Sequence, residues 1–341
     1  MPAGYKAILL PVGRNESFKA AFLALENGLA VSRSDKGDFI LLREKGKTAQ
    51  FDSILSQLSA SPVFITTDTV IPSSPVALPR IVLVETRMHD IDAGWTRFVF
   101  DSYHIPYRVV HPGEFEKTDF VKDFDVVIFP DNDKSILMEG RYESEGQIYP
   151  TSYPPEATKG IGKKGMSRLM DFFEQGGIIL SWGSSTELFT GLLSVKKGDT
   201  TEEFRLPVRD ITKTIVKEGL FCPGSLAQIN LIQNHPLTFG MESSAGIFYR
   251  GDVVFATSIP RFDMDRRVIG KFPDENILLS GYCEKCEKLA DKTAMVWLKK
   301  GKGQMVLYGF NPQFRASTQG TYKLLFNALL LQKDKNSKEL K

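Results

Sequence analysis

Histidine and cysteine are scarce in this chain, four and three respectively among 341 residues, and each scarcity removes a class of chemistry. Four histidines (His89, His104, His111 and His235) cannot fill a histidine-rich metal centre. None follows His235, so any base late in the chain must be of another type. Cys222, Cys283 and Cys286 are too few for a disulfide framework. The Cys283–Cys286 pair has C-x-x-C spacing, compatible with a redox motif or half a zinc site. A structural zinc needs about four ligands, however, and no second cluster follows. The expectation is two incidental cysteines in a surface loop, with a disulfide as the alternative in an oxidising compartment. Charge of one sign is also lacking: 43 basic against 41 acidic residues leave +2, so no field selects nucleic acid or a membrane surface. No apolar run approaches the roughly 20 residues that cross a bilayer, and the first residues, MPAGYKAILLPVG, are too weakly basic for a signal peptide.

What remains is the composition of an ordinary soluble globular protein, 42% apolar and 25% charged. Strand–helix alternation begins at once. Residues 5–11, 29–34, 38–43 and 63–67 read as strands, and 16–28 and 48–60 as helices; Phe51, Ile54, Leu55 and Leu58 give the second helix its apolar face. VIPSSPVALP then reads as a linker, which predicts a small α/β domain over 1–75. Beyond it, RIVLVE, YRVV, FDVVIFP and GIILSW are apolar strands separated by helices over 95–103 and 165–175. That order predicts a doubly wound parallel sheet over 76–331. Short apolar stretches between turn signals over 203–260 predict added β structure. Residues 292–298 and 304–310 form a hairpin, 321–331 a closing helix, and 332–341 a charged, frayed tail.

The decisive stretch is GGIILSWGSSTE, Gly176 to Glu187, a buried strand running into a small-residue turn. In an open α/β sheet a nucleophile stands at such an elbow. The candidates are Ser184 and Ser185, but a serine needs a neighbouring base, and only His111 or His235, brought in by folding, could serve. An elbow without catalysis is therefore expected, with a serine esterase or amidase as the alternative. Other strand-end residues share its rim. Asp131, with Asn132 and Asp133, would hold a cation or a sugar hydroxyl, or cap the next helix. Trp95 and Arg97 in HDIDAGWTR would offer an aromatic face and a cation, or simply pack; Arg315 in NPQFR would bind a carboxylate or pair with a structural acid. His111-Pro-Gly-Glu114 has the H-x-x-E spacing of zinc ligands, but no third ligand suggests itself.

DAGWTRFVFDSYHIPY, FDVVIFPD, FFEQGGIILSWGSSTEL, LPVRD, FCPGS, NHPLTFGM and KGQMVLYGFNPQFRASTQGTYKLLFNALL follow one another in a familiar order. Over residues 5–331 the chain resembles the C-terminal region of bacterial zinc carboxypeptidase-family proteins, a region similar to the class I glutamine amidotransferase-like, flavodoxin-like fold. Nothing here matches the peptidase domain, its metal ligands or its catalytic glutamate, and the amidotransferase cysteine and His-x-Glu are missing as well. The resemblance implies no cofactor in this chain, with zinc confined to the absent peptidase domain. It also implies a partnership with that domain and export to the periplasm or beyond, while the polar rim itself leads to the expectation of a peptide or carbohydrate ligand. A structural or dimerising module, with a homo-oligomer, is the third expectation.

Overall fold

The computed structural model describes residues 4–66, 71–88, 90–144, 146–148, 152–197 and 200–332. Two sheets dominate. The first is antiparallel, with strands Ala7–Leu10, Val31–Ser34, Phe39–Leu42, Val63–Ile65 and Ser73–Pro75, and Ala7–Leu10 lies between Val63–Ile65 and Phe39–Leu42. Helix Asn15–Glu26 covers it with the apolar spacing Phe18, Ala21, Phe22. The Pro/Ser-rich stretch read as a linker contributes an edge strand: Ser73–Pro75 pairs with Val31–Ser34. Proline is tolerated there because an edge strand has one unpaired side.

The second sheet has twelve strands. At its centre lie β1 (Ile81–Val84), β2 (Arg108–Val110), β3 (Val126–Phe129), β4 (Ile178–Trp182) and β5 (Gly303–Tyr308). All four contacts among them are parallel, in the order β2-β1-β3-β4-β5. This is the flavodoxin-like order, with its reversal of direction between β1 and β3. The apolar runs RIVLVE and FDVVIFP look this way because helices cover both faces. Ile81, Leu83, Ile128 and Leu180 pack on one side with helix Tyr322–Leu329, and Val82, Val84, Phe129 and Ile179 on the other with helix Gly162–Glu174. The added β structure extends the sheet beyond β5 through Thr293–Lys300, Met264–Lys271, Ser225–Leu231 and Ser244–Tyr249, all antiparallel. The predicted hairpin is present as Thr293–Lys300 against β5.

One expectation changes. Cys283 and Cys286 are joined as a disulfide rather than standing as an incidental pair, and Cys222 is a buried free thiol. Between helices Lys134–Glu139 and Gly162–Glu174 lie two short strands, Glu143–Ser144 and Gln147–Ile148, and a turn of 3-10 helix at Pro155–Thr158. The expected frayed tail lies, except for Gln332, outside the described residues.

The two sheets share one apolar core. Phe18 and Phe22 meet Phe326 at 5.6 and 6.3 Å between ring centroids, and Lys323 donates to the Gly13 carbonyl at 2.9 Å. Between them lies Arg33, only 8% exposed. Its guanidinium carbon sits 5.0, 5.2 and 5.9 Å from the ring centroids of Phe239, Phe39 and Phe18. Nε donates to the Gly37 carbonyl at 3.1 Å and Nη2 to the Asn327 side chain. Burial pulls its pKa down to about 10, against the opposing pull of Asp38.

Candidate functional site at the carboxyl ends of the parallel strands

In an open α/β sheet, ligands bind outside the carboxyl ends of the strands, where strand order reverses. A cleft of about 670 Å³ lies there, within the range of small-molecule sites. Its lining includes Asp92, Trp95, Asp131, Ser184, Arg250 and Arg315. Four residues singled out from the sequence, Trp95, Asp131, Ser184 and Arg315, are thus brought together. Arg97 and Ser185 are not among the lining residues. Arg97 faces solvent and pairs with Glu85 at 3.2 Å. Ser185 has no exposed surface; its hydroxyl donates to the Pro130 carbonyl and accepts from the Asn132 amide at 3.0 Å. That places Ser185 as a tie between β4 and the end of β3, a structural role.

The geometry of the elbow decides its chemistry. After β4 the chain turns at Gly183, whose φ of +59° favours glycine. A side chain at this apex would stand where a nucleophile stands on such turns. Here the apex has none, and the Asp131 carboxyl fills the space: a Cβ on Gly183 would lie 2.4 Å from Asp131 Cγ. Asp131 Oδ1 accepts from the Ser184 amide at 2.8 Å, and Arg250 Nη2 lies 3.5 Å from its other oxygen. An amide that could stabilise an oxyanion is therefore engaged by a carboxylate, whose charge would repel one. Ser184 itself is exposed, one residue beyond the apex.

No base reaches it among the described residues. His111 Nδ1 bonds the Glu85 carbonyl at 2.7 Å, and its backbone amide donates to Glu114 at 3.1 Å. The H-x-x-E spacing is thus a capping arrangement at a 3-10 turn rather than a metal pair. His235 Nδ1 accepts from the Leu237 amide at 3.2 Å, and its ring packs on Trp297. Burial and the charge of Arg267 lower its pKa. His89 lies outside the described residues. Among the described residues, no group of three or more His, Cys, Asp or Glu is placed to hold a metal ion.

The floor of the cleft is an acid network. Asp92 accepts from the Trp182 indole, the Asp131 amide at 3.0 Å, and the Asn311 and Gln313 side-chain amides, each at 2.9 Å. Burial pushes its pKa up to about 6; the Trp182 bond opposes this and the charge of Asp131 adds to it. Asp252, beside Arg250 at 3.5 Å, is pushed up to about 7, by burial first and Asp131 second. Both carboxyls bind protons more tightly folded than unfolded, where an aspartate titrates near ~3.9. Stability contributed by their protonated forms is present at low pH and is lost as pH rises through about 6 and about 7. Each shift is worth on the order of 3 kcal/mol. In urea titrations the chain is expected to lose more stability between pH 5 and pH 8 than Asp252→Asn loses. Identical losses would refute the assignment.

Asp133 stands at the N-cap position of helix Lys134–Glu139 but makes no capping bond; Asn132 Oδ1 accepts from its amide at 2.9 Å instead. On the opposite wall Phe314 stacks on Phe248 at 3.9 Å. Arg250 and Arg315 lie 5.9 and 5.5 Å from its centroid. Arg315 and Ala316 take positive φ of +47° and +57°. Two consecutive residues other than glycine in the left-handed region are strained, and such strain concentrates at ligand sites.

Sequence reasoning missed Asp92, Arg250 and Phe314. Asp92 carried a signal, an acid in the first turn of a helix following a strand end. Arg250 sits in FYRGD, which reads only as a turn.

No family model matches the chain, and no curated protein matches it. Among solved structures, a ThuA-like protein from Bacteroides uniformis is 10% identical over 75% of this chain and 92% of its own, with a TM-score of 0.41. A GMP synthase component from Thermoplasma acidophilum is 8% identical over 74% and 92%, TM-score 0.39. A glutamine amidotransferase from Thermotoga maritima is 8% identical over 74% and 96%, also at 0.39. Likenesses at these scores assign no activity, and none of these proteins is a zinc carboxypeptidase. The α/β class and the flavodoxin-like core stand on the strand order itself.

Proposed function

We propose that this chain is a non-catalytic ligand-binding module on an amidotransferase-like sheet, and that it accompanies a zinc carboxypeptidase-like domain. One observation carries the reading: the apex of the elbow is Gly183, and the space beside it and the Ser184 amide are both taken by Asp131. A hydrolase needs a nucleophile with a base and free oxyanion donors, and this arrangement favours neither. The strand-end cleft remains, lined with aromatic and charged side chains. The association with a peptidase rests on the order of sequence motifs alone. A fluorophosphonate probe is expected to leave Ser184 unlabelled under conditions that label a serine esterase control. Stoichiometric labelling abolished by Ser184→Ala would replace this reading with the serine hydrolase.

A further inference from the structure

The charges in the cleft can be sorted by whether the protein already answers them. Asp131 is answered by the Ser184 amide and by Arg250, and Arg250 in turn by Asp131 and Asp252. Asp92 holds four donors from the surrounding chain. Two charged lining residues are left over. Asp133 makes no ion pair and its carboxylate accepts no hydrogen bond among the described residues; the Arg315 guanidinium meets no carboxylate among them, only the face of Phe314. Burial and the negative charges of Asp131 and Glu187 raise the pKa of Asp133, as expected of a carboxylate in want of a cation. Asn311, which also lines the cleft, has its Oδ1 buried with no partner among the described residues.

A cleft with one unanswered anion and one unanswered cation is complementary to a molecule carrying both charges. Resting on the non-catalytic reading above, we propose that the cleft takes a zwitterion, a free amino acid or a short peptide. Its carboxylate meets Arg315, its ammonium group meets Asp133, and its apolar part lies against Trp95 and Phe314. Arg315 lines the cleft from a backbone in the left-handed region, and its guanidinium can form a bidentate pair with a carboxylate there.

Calorimetric titration with L-phenylalanine, Ala-Phe and Ala-Ala-Phe tests this, and the tightest of the three reports whether a free amino acid or a peptide fits. C-terminal amidation of that probe is expected to weaken binding about tenfold or more. Arg315→Ala should weaken the free-acid probe equally and make amidation irrelevant. N-acetylation and Asp133→Asn should form a second such pair. Blocked and unblocked probes binding alike, or none of the three binding, would overturn the proposal. Maltotriose binding indifferent to Arg315→Ala would also overturn the zwitterion while leaving a non-catalytic binding module standing. Fluorophosphonate labelling of Ser184 would instead remove that underlying reading.

Discussion

Arg33→Ala is expected to cost about 3–5 kcal/mol of stability, a loss in melting temperature on the order of 10 °C. The side chain is enclosed by Phe18 on helix Asn15–Glu26, Phe39 in the first sheet and Phe239 after the 3-10 turn Pro236–Thr238. Truncation leaves a void among three rings and two buried acceptors, the Gly37 carbonyl and Asn327 Oδ1, without a donor. Arg33→Met separates volume from charge. It refills most of the space and avoids holding a desolvated guanidinium whose pKa burial has already lowered. Its loss should be less than half that of alanine. Thermal unfolding of the three proteins checks this, and an alanine variant as stable as the parent would show that the buried arginine holds nothing together.

Gly183→Ala is the second large effect, about 3 kcal/mol or more. Two costs combine. A φ of +59° disfavours any residue with a Cβ, at roughly 1–3 kcal/mol, and the new methyl would meet Asp131 Cγ and Oδ1 at 2.4 Å, adding overpacking of similar size. The second cost depends on Asp131 and the first does not. Asp131→Ala removes both atoms at 2.4 Å and leaves only its Cβ at 2.9 Å. A double-mutant cycle is therefore expected to show favourable coupling of at least about 1 kcal/mol. Strict additivity would mean that the two residues do not compete for the same space. For the same reason, a cysteine placed at residue 183 would not by itself restore an amidotransferase-like nucleophile.

The parallel core was legible because burial on both faces writes itself as continuous apolar strands, as in Ile81–Val84 and Val126–Phe129. The first sheet was legible only as elements. Strand–helix alternation suggests parallel pairing, whereas the hairpin from Val31–Ser34 to Phe39–Leu42 makes this sheet antiparallel. Ser73–Pro75 was hidden by composition, since proline and serine signal a linker and say nothing of a free sheet edge nearby. In the cleft, Trp95, Asp131, Ser184 and Arg315 were found because strand ends are where polar side chains gather. Arg97 failed because position on a helix does not reveal which way a long side chain runs. Asp92 and Arg250 were missed because their partners, Asn311 and Asp131, lie 219 and 119 residues away.

That distance has a kinetic side. β5 lies in the middle of its sheet yet follows every other strand described in chain order, and the segment after it delivers Asn311 and Gln313 to Asp92. A ribosome must therefore release nearly all of this polypeptide before the cleft can close around its acid network, and contacts of such long range form slowly. Premature termination anywhere before residue 303 would yield a product without β5 and without the Asn311 and Gln313 donors to Asp92.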